Sequence, residues 1–124
     1  MAGSSDGVII FAHGSRIEAA NNAVRAVAEA LSRSTDSLVI AAFLVLGDPD
    51  LETAASRLVA QGVARLAIVP YFLTLGMHME RDLPRLADAI QLQHQGLDVR
   101  IAPPLDGHPA LLQIVQDRIR EVLT

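Results

Sequence analysis

Four times along the chain, a short apolar run gives way to a longer stretch in which apolar residues recur every three or four positions. Val8 to Ala12 is continuously apolar, as expected of a strand buried on both faces. Ala20, Val24, Val27 and Leu31 then share one face of a helix. Leu38 to Val45 is the second apolar run. Asp48-Pro49 reads as an N-cap followed by an N1 proline. Leu51, Ala54, Ala55, Leu58 and Val59 line that helix, and Gly62 closes it as the C′ residue. Leu66 to Leu73 is a third strand in which Pro70 weakens pairing near the end. A helix from about Met79 to Gln93 turns Leu83, Leu86, Ala87 and Ile90 inward. Val99 to Ala102 is a short fourth strand. His108-Pro109 opens a last helix that carries Leu112, Val115, Ile119 and Val122.

Four successive βα units call for a parallel sheet with helices on both faces. With right-handed crossovers, the expected architecture is a single α/β, flavodoxin-like domain with strand order 2-1-3-4. That order reverses direction between strands 1 and 3. Ligands of open α/β sheets bind outside the carboxyl ends of the strands at such a reversal.

Composition narrows the chemistry. A chain of 124 residues that is 51% hydrophobic and 19% charged fits one globular domain, residues 1–124, with residues 1–6 a loose, polar lead-in. There is no cysteine, which excludes disulfides and thiolate metal sites. Any metal falls to His, Asp, Glu, Met or backbone oxygen. The net charge of −4 argues against nucleic acid. All ten basic residues are arginine, so no lysine serves a Schiff base or a P-loop. No signal-peptide pattern and no run long enough to span a bilayer is present, so a cytoplasmic protein without membrane contact is expected.

Strand 1 runs into Ala12-His13-Gly14-Ser15-Arg16, and strand 3 runs into Thr74-Leu75-Gly76-Met77-His78-Met79. These are the loops that flank the reversal, and each carries a histidine. Two imidazoles facing one crevice suit a late divalent metal such as Co, Ni or Fe. Taken singly, either histidine is also compatible with an ordinary cap or a satisfied polar residue. Gly14 and Gly76 allow unusual turns and let a flat ligand come close to the backbone. Arg16, Arg81 and Arg85 suit bidentate capture of carboxylates, or else solvated helix faces. Met77 and Met79 flank His78 as packing groups or soft ligands. Ser15 follows His13 too closely for a triad, and no G-x-S-x-G is present. His94 and His108 read as a helix-end residue and a cap.

Taken together, these blocks resemble the small class II chelatases of the CbiX type, which act on sirohydrochlorin. The resemblance runs from Val8 to Leu123. It rests on His13-Gly14-Ser15-Arg16, Phe43-Leu44 with Asp48-Pro49-Asp50-Leu51, Val69-Pro70-Tyr71-Phe72-Leu73, Gly76-Met77-His78, Arg81-Asp82-Leu83-Pro84 and Pro104-Leu105-Asp106-Gly107-His108-Pro109. It implies insertion of Co, Ni or Fe into a tetrapyrrole without ATP or an organic cofactor, by a homodimer when the chain is this short. His13 and His78 match the metal-handling pair, and Gly14, Ser15, Arg16, Gly76, Met77 and Arg81 fall around the substrate. The family often carries a glutamate in the strand 2 segment where this chain has Val45. A relative that binds metal or tetrapyrrole without turnover is therefore the competing expectation.

Overall fold

The computed structural model describes residues 5–124. Four strands and four helices alternate: β1 (Asp6–Ala12), α1 (Glu18–Ser34), β2 (Leu38–Phe43), α2 (Leu51–Ala60), β3 (Arg65–Pro70), α3 (Met77–Gln93), β4 (Asp98–Ile101) and α4 (Pro109–Leu123). All pairings are parallel, in the order β2-β1-β3-β4. The expected fold class and the reversal between β1 and β3 are both present.

Alternation along β1 splits the core in two. Ile9 and Phe11 point to one face, where α2 and α3 add Leu51, Ala54, Ala55, Leu58, Leu83, Ala87 and Ile90. Ile10 and Ala12 point to the other face, where Val24 and Ala28 of α1 meet Ala41 and Phe43. Each fully buried Leu, Ile or Phe side chain contributes about 1.5–3 kcal/mol.

Several boundaries differ from the sequence reading, each for a local reason. Residues 1–4 lie outside the described residues. Ser5 and Asp6 are not loose: the Ser5 carbonyl accepts from the Ala64 and Arg65 amides, and Asp6 receives two bonds of 2.8 Å from the Arg65 guanidinium. That pairing holds the Asp6 carboxyl below its ordinary range. β2 stops at Phe43 because Leu46 adopts a left-handed backbone (φ 57°) that turns the chain away. Asp50, not Asp48, caps α2, and its side chain accepts from the Thr53 amide at 2.8 Å. β3 ends at Pro70, ahead of the expected Leu73. α3 begins at Met77, two residues early, because Gly76 is its N-cap and the Glu80 amide closes the first turn on the Gly76 carbonyl. β4 runs one residue ahead of its expected span. In α1 the buried face is Asn21, Val24 and Ala28, whereas Ala20 is exposed.

The largest departure is α4. His108 caps it as expected, accepting from the Ala110 amide at 3.0 Å. Its apolar stripe, however, is not inward: Leu112, Val115, Ile119 and Val122 are all exposed, and no residue of α4 is buried. No helix among the described residues is long and apolar enough to cross a membrane.

Candidate functional site

The carboxyl end of β1 is held from both sides. The Leu44 and Val45 amides donate to the Ala12 and His13 carbonyls at 2.9 and 3.0 Å, and Tyr71 donates to the Phe11 carbonyl at 2.7 Å. His13 therefore leaves the sheet at the strand reversal, between the loops that follow β2 and β3.

Gly14 sits at φ 97°, a region that side chains rarely enter, and a Cβ there would collide with the Val45 carbonyl oxygen. This is the close approach that requires glycine. Gly76 differs: its φ of −72° is ordinary and the space around it is open. Nothing in the backbone demands glycine at 76, but its lack of a side chain keeps the mouth of the crevice clear.

His13 and His78 line the same crevice of about 350 Å³, with Leu44, Phe72, Leu75, Gly76, Met77, Met79 and Asp82. Phe72 rests edge-on against buried Phe11, with ring centroids 6.3 Å apart, so the apolar wall is backed by the core. Both imidazoles are exposed. His13 Nδ1 lies 3.3 Å from the Gly14 carbonyl. His78 is not in a loop but in the first turn of α3, where Arg81 donates to its Nδ1 at 3.2 Å. Arginine can only donate, so in this contact Nδ1 is the acceptor. Met77 is 84% exposed at the rim, while Met79 packs against the core. Among the described residues, no three His, Cys, Asp or Glu side chains come together as a metal cage.

One residue that the sequence reading passed over organises this corner. Asn21 is 1% exposed, the one buried polar side chain among the described residues. Its Oδ1 accepts from the Ser15 amide, and its Nδ2 donates to the Ser15 and Leu46 carbonyls, each at 2.9 Å. It ties the loop that carries His13 to the loop after β2 and holds the left-handed Leu46 in place. Its only signal in the sequence is polarity on the apolar face of α1. Ser15 uses its hydroxyl locally, accepting from the Ile17 amide at 3.0 Å. Arg16 is exposed beyond that turn. Val45 lies in the β2–α2 loop, 45% exposed, rather than within the strand. His94 is remote from the crevice, with Nε2 3.2 Å from the Ser56 hydroxyl.

The family model of CbiX matches residues 7–122. The chain belongs to the CbiX family. Among curated relatives, it is 33% identical over 123 residues to the chloroplastic sirohydrochlorin ferrochelatase of Arabidopsis thaliana, covering 98% of this chain and 55% of that protein. The CbiX chain thus spans about half the length of that relative. It is 30% identical over 117 residues to the sirohydrochlorin cobaltochelatase of Sulfurisphaera tokodaii, covering 94% and 93% of the two chains. A CbiX protein from Marinobacter aquaeolei VT8 superimposes with a TM-score of 0.84 at 30% identity, covering 95% and 97%. The cobalt complex of the sirohydrochlorin chelatase SirB from Bacillus subtilis subspecies spizizenii shares the fold (TM-score 0.86, 22% identity), with this chain covering half of it.

Proposed function

We propose that this CbiX chain inserts a divalent metal ion, Co²⁺, Ni²⁺ or Fe²⁺, into sirohydrochlorin or a closely related tetrapyrrole, without ATP or an organic cofactor. The observation that carries this reading is the pair His13 and His78 on one open crevice, in a chain that matches its family over residues 7–122. Insertion replaces two pyrrole N–H protons with one M²⁺. The two imidazoles supply both things required, one after the other: nitrogen ligands that strip water from the ion, and, as the ion passes to the ring nitrogens and each imidazole lone pair is released, bases that take the two departing protons. His13 and His78 hold the ion on one side of the macrocycle while the ring nitrogens displace its remaining waters. The crevice supplies alignment, which lowers the barrier by restricting the encounter.

Gly14, Ser15 and Arg16 on one side, and Gly76, Met77 and Arg81 on the other, border the macrocycle. Gly76 opens the approach, Met77 offers an apolar surface, and Arg16 and Arg81 meet peripheral carboxylates. The first turn of α3 has no side-chain cap and adds its free amides as a further attraction for anionic groups. The working particle in this reading is a homodimer in the cytoplasm.

An anaerobic assay with sirohydrochlorin and each of the three ions, followed by optical spectra, tests the reading. A chelatase gives a metal-dependent spectral change over many turnovers. A spectral shift that saturates at one equivalent of protein marks a binding protein instead, the outcome that Val45 in place of the family glutamate would favour.

A further inference from the structure

Metal insertion sets a demand that the two imidazoles meet only late. Each pyrrole N–H bond that breaks leaves its electron pair on nitrogen for the ion, and its proton needs a base. A neutral imidazole bound to a metal through one nitrogen carries its own proton on the other, so it has no lone pair left to offer. The first pyrrole nitrogen reaches the ion while His13 and His78 still hold it. Its proton therefore leaves before either imidazole is free to take it.

Among the described residues, Asp82 is the one carboxylate that lines the crevice with His13 and His78. It follows His78 by four positions on α3, so the two side chains share one face of the helix. The tilt of the Cα–Cβ bonds toward the helix start leans Asp82 back toward His78. Asp82 is half-buried, yet among the described residues it forms no hydrogen bond or ion pair. Arg81 is turned to His78 instead, and Arg85, one turn on, makes no bond to it. Helix formation does not account for it either. Asp82 lies past the first turn of α3, where a negative charge no longer gains from the helix N-terminus, and aspartate is a poor helix former. It is not a third ligand, because no acidic group joins the two imidazoles closely enough to share an ion. Asp82 also borders an outer hollow of about 310 Å³, with Leu44, Arg85 and Leu86, through which solvent reaches it.

We propose that Asp82 is the proton acceptor for the first pyrrole nitrogen. This rests on the chelatase reading and adds a third reacting group to it. The N–H bond breaks, its electron pair goes to the ion, and the proton goes to a carboxylate oxygen of Asp82. When His78 lets go of the ion, its freed nitrogen takes that proton and the carboxylate is restored. The second pyrrole proton passes to His13 as the ion leaves it. Two pyrrole N–H bonds are broken and two imidazole N–H bonds are formed for each ion inserted, and both protons then leave to water.

Anaerobic Co²⁺ insertion into sirohydrochlorin tests it, with kcat, KM and calorimetric Co²⁺ affinity measured on each variant and folding checked by circular dichroism. Asp82→Asn keeps the shape of the side chain but cannot take the proton. It is expected to lower kcat by about 10²-fold, with KM and Co²⁺ affinity within about threefold of wild type. Asp82→Ala is expected to be as slow and to regain rate as sodium formate is added, because the outer hollow admits a small carboxylate. Asp88→Asn removes the same charge from an exposed position of α3 that lines neither hollow, and should keep the wild-type rate. A wild-type kcat in Asp82→Asn would overturn the proposal and leave the chelatase reading standing. A loss of Co²⁺ affinity that matches the loss of rate would overturn it in favour of a metal ligand. An equal fall in Asp88→Asn would overturn it in favour of net charge. An Asp82→Ala rate that formate does not restore, or loss of folding in both Asp82 variants, would overturn it in favour of a structural role. Wild-type protein that inserts no cobalt would overturn the chelatase reading, and this step with it.

Discussion

Asn21 shows how much a single buried amide can govern. Its three hydrogen bonds satisfy backbone groups of two loops, and a partner removed from a buried site leaves those groups unpaired. Asn21→Ala is expected to cost about 2–4 kcal/mol in denaturant unfolding and to slow insertion beyond what the stability loss explains, because His13 loses its fixed approach. Arg81 has the opposite relation to its neighbour. A metal on either nitrogen of His78 is incompatible with the Arg81 bond: on Nδ1 it takes the same lone pair, and on Nε2 it requires the proton to sit on Nδ1. Arg81→Met should therefore bind Co²⁺ more tightly in calorimetry, while binding a tetrapyrrole carboxylate less well. Val45 is informative because of where it lies. It lies in an exposed loop, so Val45→Glu should fold with a stability change within about 0.5 kcal/mol and hold metal more firmly. Failure to fold would contradict that placement.

The strands and the three packed helices were legible because their apolar periods are clean and because burial enforces them. The ends were less so. α3 carries no Ser, Thr, Asp or Asn at its start, so the signal that usually marks a helix entrance is missing and His78 reads as loop. α2 offers two aspartates near its start, and only geometry selects Asp50. The bonds from Thr53 hold the Asp50 carboxyl below its ordinary range, as Arg65 does for Asp6. Both carboxylates have lowered folded-state values, so their contribution is complete above the unfolded value of about 3.9 and is lost as pH falls through the folded value. Asp50→Ala should cost about 1 kcal/mol at neutral pH, and the gap to wild type should close in thermal melts below about pH 4.

For the molecule as a unit, the strand order was readable because four βα units leave few right-handed arrangements, and the reversal point then located the crevice that His13 and His78 line. The fate of α4 was not readable. Its stripe of Leu112, Val115, Ile119 and Val122 marks one apolar face, but the period does not report whether the chain's own sheet lies beneath it, and in the structure that face is exposed. Asn21 was hidden for a related reason, since periodicity reports that a face is buried and says nothing of a polar residue with loop partners. The fold delivers His13 and His78, 65 positions apart in sequence, to one crevice, and the account turns on that pairing. Both are exposed, so replacing them should leave folding intact. The most direct measurement is the initial rate of anaerobic Co²⁺ insertion into sirohydrochlorin by His13→Ala, His78→Ala and the double variant, with folding checked by circular dichroism. Loss of ligand and base should lower each single variant by about 10²-fold or more, with the double variant no worse than the poorer single, because the two act on one ion. Folded variants that insert cobalt at the wild-type rate would contradict the account.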